Sequence, residues 1–271
     1  MKYIRLYLLL AILILCAAGH ACTLKEKSLS TEPSLTAIQK RGMLLVGTTG
    51  DYRPLTYHEP GSGKYWGFDL EVAQRIAERI GVPIKYVETS WPTLTDDVLN
   101  KTVFDFAIGG ITITNTRKLT MDMSDGYLVN GKTILCRKKD ANKFRSLTDL
   151  NKPRVQVMVN PGGLNEKFAR EQLPLATIIV YPKNEEIPNQ VATGKADVMI
   201  TEITEAPYYV QRDSRLAAPL LHKPFTHGEI GILMRTSQED LLQTINAVIA
   251  EMKKDGSLRK LHEKYGLNYG Y

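Results

Sequence analysis

Cysteine is scarce in this chain, with three residues at positions 16, 22 and 136. No Cys-x-x-Cys occurs, and the five histidines, at 20, 58, 222, 227 and 262, show no metal-ligand spacing. A metal enzyme is therefore not expected. Gly-x-Ser-x-Gly and any cysteine–histidine arrangement for a nucleophile are also missing, so acid or base work by carboxylates is the remaining route to catalysis. The formal net charge is +6, but the excess is spread along the chain apart from short runs such as Arg137, Lys138 and Lys139. That excludes a nucleic-acid protein and fits an anionic small ligand. Long apolar runs are absent beyond the first residues.

Those first residues combine two early cations, an apolar run from Leu6 to Ala18 and a small-x-small ending at Gly19 and Ala21. The run is too short for a membrane span and reads as a secretory signal peptide over residues 1–21, with a periplasmic destination. Cleavage after Ala21 leaves Cys22 first, which raises a lipid anchor as the alternative, although Gly19 and His20 suit a lipoprotein signal poorly. Only Cys22 and Cys136 then remain, and an unpaired Cys136 on a strand is expected. Residues 22–35 are polar and read as a tether.

From Ala37 onward the apolar spacing alternates between strand and helix periods. A strand at Met43–Thr48 precedes the turn GDYRP. A Gly-rich hairpin follows, then a helix capped by Asp69 whose apolar positions are Leu70, Ala73, Ile76, Ala77 and Ile80. Strands at Ile84–Glu88 and Phe104–Ile108 flank a short helix at Pro92–Leu99. A second run of the same kind starts at Arg154: strand, turn NPGG, a helix over Leu164–Gln172, strand TIIVY, a helix near Glu186–Thr193 and strand Val198–Ile200. A strand at Glu229–Met234 returns to the first lobe, and a helix Glu239–Lys254, opened by Ser237 and Asp240, carries a stripe of Leu242, Ile245, Val248, Ile249 and Met252. The expected fold is α/β and two-lobed, each lobe a mostly parallel sheet flanked by helices, joined by two crossings. Lobe 1 is assigned to 36–135 and 229–271, and lobe 2 to 136–228. A ligand cleft between the lobes is the default expectation.

Several segments carry candidate chemistry. In GKADVMITEITEAPYY, Glu202 and Glu205 lie just past a short strand, where ligands bind in open α/β sheets; the alternative is two solvated surface acids. Gly126, Gly131, Lys132 and Thr133 match a Walker A spacing, but strand-forming Ile134–Cys136 follows where a phosphate-cradling helix is required, so no nucleotide cofactor is expected. Lys132 still falls near a crossing, where it can face the cleft. Thr112, Thr114 and Arg117 follow a strand and would make a carboxylate clamp, or else an ordinary polar loop. Asn160–Gly163 is a strand-to-helix turn in which Gly162 permits close backbone approach. Trp91 is either a cleft wall or packing, and Asp51 and Tyr52 are either a turn or ligand contacts.

GTTGDYRPLTY, GFDLEVAQRIAE, TSWPTL, YLVNGKT, VNPGGLNEKFAR and GKADVMITEITEA together give the chain, from about Leu35 to Tyr265, a resemblance. It resembles the periplasmic solute-binding proteins of the polar amino-acid type, and within them most closely the cyclohexadienyl dehydratases. VNPGGLNEKFAR and the SWP segment are more telling than GFDLE, which the transport proteins share. Members of that enzyme family remove water and carbon dioxide from prephenate or L-arogenate. The resemblance implies a general-acid glutamate at Glu205 assisted by Lys132, with Asp51, Tyr52, Trp91, Thr112, Arg117 and Asn160 lining the cleft. It places Glu202 where amino-acid binders often hold the ligand's amino group with an aspartate. Pro207, in the first turn of a following helix, would put Glu205 near a helix N-terminus, which favours the ionised carboxylate and opposes the acid role. The rival expectation is a non-catalytic binding protein that hands an amino acid or carboxylate to an ABC permease.

Overall fold

A computed structural model describes residues 34–101 and 103–268. The expected signal peptide and Cys22 lie outside the described residues, as does the expected tether except for Ser34 and Leu35. Among the described residues, no helix is long and apolar enough to cross a membrane.

The chain begins lobe 1 with a helix, Ser34–Arg41, and then β1 (Leu44–Thr48). The hairpin strands β2 (Asp51–Tyr52), β3 (Thr56–His58) and β4 (Tyr65–Trp66) form a small antiparallel sheet of their own. After the helix Phe68–Ile80 come β5 (Ile84–Glu88), β6 (Phe106–Ala107) and β7 (Asp122–Met123). The chain leaves the lobe through β8 (Leu128–Asn130) and enters lobe 2 at β9 (Lys132–Arg137). There β10 (Gln156–Val159), β11 (Thr177–Val180), β12 (Val198–Glu202) and β13 (Leu216–Ala217) follow. It returns through β14 (Gly228–Ile230), which pairs antiparallel with β8, and β15 (Leu233–Met234) closes the first sheet.

The two sheets run β5-β1-β6-β15-β7 and β11-β10-β12-β9-β13. Three strands in each are parallel, and the strand next to them, β15 or β9, is antiparallel because it arrives from a crossing. Alternation along the strands then divides the core. Val157, Val159, Val198 and Ile200 face one layer of helices, whereas Met158 and Met199 face the other. Both faces of each sheet are thereby covered, as parallel pairing requires. Burying each of these aliphatic side chains contributes roughly 1.5–3 kcal/mol.

Five local expectations are corrected. The lobe boundary at 135/136 falls inside β9, whose residues 132–136 pair with β12, so lobe 2 begins at Lys132. Asp69 does not cap its helix: Gly67 holds the N-cap, and the buried Asp69 carboxylate accepts the Gly110 amide at 2.6 Å, tying the helix to the loop after β6. Ser237 has a positive φ of 68° and leaves the N-cap to Gln238, while Asp240 accepts bonds from Ser34 and Leu35 at the start of lobe 1. The expected strand Glu229–Met234 is broken between β14 and β15 at Gly231, and the expected helix at Pro92–Leu99 is a short turn, Leu94–Asp96, running into a π-helical turn at Asp97–Lys101.

Candidate functional site

A small cavity lies between the lobes. Lobe 1 contributes Tyr52, Trp91, Gly110, Thr112 and Arg117, and lobe 2 contributes Lys132, Asn160, Gly163, Leu164, Asn165 and Glu202. It opens into a wider groove lined in part by Leu94, Thr95, Phe168 and His227. Seven of the ten residues singled out from sequence are thus on one wall. Gly162 sits in the outer groove, its φ of 72° one that side chains rarely adopt. A Cβ there would meet Pro92, on the opposite lobe, at 2.6 Å. The glycine is therefore what lets this turn close against lobe 1.

β12 runs two residues further than its apolar pattern suggests, and this decides what Glu202 does. Glu202 is the last residue of the strand and the direct cross-strand partner of Lys132. Their side chains meet at 2.5 Å, and the Lys132 ammonium also donates to Asn165 Oδ1 at 2.7 Å. From lobe 1, the Tyr52 hydroxyl donates to Glu202, and so does Thr112 Oγ1 at 3.3 Å. Burial alone would push the Glu202 carboxyl up. The Lys132 charge, with donors from Lys132, Tyr52 and Asn130, brings it below the ordinary range.

Around this pair the remaining wall is ordered by short-range bonds. Arg117 Nη1 donates to the Thr112 carbonyl at 2.5 Å, and Thr114 caps the turn at Asn115 by accepting the Arg117 amide. Trp91 meets Tyr52 edge-on at 5.7 Å and donates its indole N–H to Asp51 at 3.1 Å. The helix Leu164–Gln172 starts at the wall with no side-chain cap at Gly163, while the Gly162 amide just before it donates to Glu166 Oε2 at 2.8 Å. Two cations and one carboxylate give this wall a positive balance.

Glu205 and Asp51 are not on the cavity wall. Glu205 is fully buried on the turn after β12, at the N-cap of the helix Ala206–Arg212, with Pro207 in the first turn as expected. Its Oε1 accepts from Asn184 at 2.8 Å and its Oε2 contacts Thr201 Oγ1 at 2.5 Å. Burial pushes its carboxyl up to about 8, aided by Glu202 and Asp51 and opposed by the Thr201 and Asn184 bonds. The helix has seven residues, and its terminus does not outweigh that burial. Asp51 is raised to about 6, also by burial first, and faces a second groove between the lobes with Asn184 and Glu185.

Gly110, Leu164 and Asn165 carried no assignment from sequence, and Gly163 carried one only as the end of the Asn160–Gly163 turn. Asn165 had a faint signal, since it is the second residue of the helix after the NPGG turn. Gly110 packs under the Tyr52 ring, where a Cβ would come within 2.6 Å. Cys136 is on β9, buried, with a free thiol.

Residues 44–268 match the model of the bacterial extracellular solute-binding proteins, family 3. A cyclohexadienyl dehydratase from Pseudomonas aeruginosa is 40% identical over 203 residues, covering 75% of each chain. Among solved structures, an ancestral amino acid-binding protein described as a precursor of cyclohexadienyl dehydratase superposes with a TM-score of 0.79 at 37% identity, over 86% of this chain and 99% of its own. An ancestral cyclohexadienyl dehydratase is 49% identical with a TM-score of 0.53, over 86% of this chain and 96% of its own.

Proposed function

The chain belongs to the bacterial extracellular solute-binding proteins of family 3, and from that premise we propose that it is a periplasmic cyclohexadienyl dehydratase. Its substrate class is a cyclohexadienyl carboxylate, prephenate or L-arogenate. For prephenate, the dianion and one proton become the phenylpyruvate anion, carbon dioxide and water.

The observation that carries this reading is Glu205, a carboxyl pushed up to about 8 and so protonated at neutral pH. Holding a ligand through ionic contacts requires charged groups, and a protonated acid adds none. Expelling a hydroxyl from a ring requires a proton donor. Arg117 and the uncapped start of the helix Leu164–Gln172 would hold the two carboxylates, with Lys132 beside them. Glu205 supplies the proton as the C–O bond breaks, and loss of carbon dioxide leaves its electron pair to complete the aromatic ring. Because Glu205 is off the wall in this conformation, delivery requires the wall to rearrange around the substrate.

The second reading, an amino acid-binding protein for a transporter, is favoured by the close superposition on a relative of that description. It would use Glu202 to hold an ammonium group. Lys132 already occupies that carboxylate at 2.5 Å, which weighs against it.

Incubating the purified protein with prephenate and following phenylpyruvate separates the two. Turnover is expected, and Glu205→Gln should lose roughly 10²-fold or more of it while still binding substrate. No phenylpyruvate from the wild type, with micromolar binding of an amino acid, would establish the transport reading instead.

A further inference from the structure

Asn184 is buried and stands where the lobes meet, in the turn before the helix Ile187–Ala192. Its Nδ2 has two acceptors on different lobes: the Asp51 carbonyl of lobe 1 at 3.1 Å, and Glu205 Oε1 of lobe 2 at 2.8 Å. Its Oδ1 has no hydrogen-bond partner. Next to it, Glu185 pairs with Arg53 across the same gap at 3.1 Å.

A side-chain amide offers a donor face or an acceptor face. A backbone carbonyl can only accept, so the Asp51 carbonyl selects the donor face. With Nδ2 donating to Oε1, the oxygen left for the proton of a neutral Glu205 is Oε2, which lies 2.5 Å from Thr201 Oγ1, whose hydroxyl donates to it when the carboxyl is ionised. Once the lobes part, the carbonyl is withdrawn. The amide is then free to turn Oδ1 toward Glu205 and take that proton into a hydrogen bond of its own.

We propose that Asn184 is a positioning residue that couples lobe closure to the acid: closure pins its amide so that the Glu205 proton sits on Oε2. This rests on reading Glu205 as the proton donor. The other groups facing Glu205 are the carboxyls of Glu202 and Asp51 and the phenols of Tyr52 and Tyr209. None of them bridges from the Glu205 carboxyl to a lobe 1 carbonyl.

The test is the pH dependence of prephenate turnover in the wild type, Asn184→Ala, Asn184→Leu and Glu185→Gln. Activity needs protonated Glu205 and so falls as pH rises through its pKa. Removing a donor that favours the carboxylate moves that falling limb to higher pH. Asn184→Ala is expected to show this shift with kcat at neutral pH down roughly 10-fold or more. Asn184→Leu, which refills the volume without polar atoms, should behave alike and guards against a cavity that unfolds the protein. Glu185→Gln breaks the neighbouring ion pair only, and should change KM with the limb in place. An unmoved limb in both Asn184 variants, or an effect on KM alone matching Glu185→Gln, overturns the proposal. Should the wild type make no phenylpyruvate, the dehydratase reading fails by itself. The link from Asn184 to Glu205 is then read from the carbon-13 shift of the Glu205 carboxyl during a pH titration, and equal midpoints in wild type and Asn184→Ala overturn it.

Discussion

Glu202 and Glu205 are three residues apart, both buried, and held in opposite protonation states by their neighbours. Glu202 has a lysine in direct contact and stays ionised. Glu205 has only neutral donors and is left to the cost of burying a charge. Replacing Lys132 therefore does more than remove a cation from the cavity. Lys132→Met strands a buried carboxylate, and breaking such a pair costs roughly 3–5 kcal/mol. Without its lysine Glu202 can escape by taking a proton, so the loss should be smaller at pH 5 than at pH 8. Urea midpoints at the two pH values check this, and an equal loss at both would show that Lys132 does not hold Glu202 ionised. The distinction between the acids was not legible locally, because TEITEA reads alike for both. It follows from the pairing of β12 with β9, which joins residues 70 positions apart in register.

The turn between β10 and the helix Leu164–Gln172 shows how an element controls closure. Gly162 has left-handed backbone geometry and no room for a Cβ beside Pro92. A side chain in that geometry costs roughly 1–2 kcal/mol before any clash. Gly162→Val should further weaken ligand binding by about 10-fold or more, since its clash with Pro92 enters where the lobes meet. The thermal midpoint without ligand should fall only by the backbone strain, because an open cleft relieves the contact with Pro92. Calorimetric titration alongside thermal melts separates the two, and wild-type affinity would discard the closure role. Elements of this size were well marked by periodicity: the helix Leu164–Gln172 matches its expected bounds, and the stripe on Glu239–Lys254 is buried at Ile245, Val248, Ile249 and Met252. The two-residue strands β2, β7 and β13 were not, because two residues carry no period.

At the scale of the whole molecule, Asp51, Asp69 and Glu205 are raised to about 6, 7 and 8 by burial. Each binds its proton more tightly folded than unfolded. Between the ordinary carboxyl range and those values the native state holds the extra protons, so these groups make stability fall as pH rises. His262, lowered by burial, acts in the other direction near its ordinary value. Comparing wild type with Glu205→Gln cancels everything but one group. The variant's relative stability should grow from pH 5 to pH 8 and level off above about 8. A difference that stays flat across that window in denaturant titrations would mean that Glu205 is ionised at neutral pH, which also removes the proton donor from the proposed mechanism.

Periodicity and punctuation in the chain were enough to define two α/β lobes and the two crossings, whereas the residues of the cavity wall stayed open between site and surface or packing roles until the resemblance was drawn. Those features depend on local patterns of apolar residues and on turn chemistry, both of which are written in consecutive residues. Which strand a residue faces, and how deeply it is buried, are not. The pairing of Lys132 with Glu202, the removal of Glu205 from the wall, the recruitment of Asn165 and the bridging amide of Asn184 all arise where distant segments meet. Charge states are set there because a carboxyl's pKa depends on solvent exclusion and on the nearest opposite charge, and only the folded chain brings those into place.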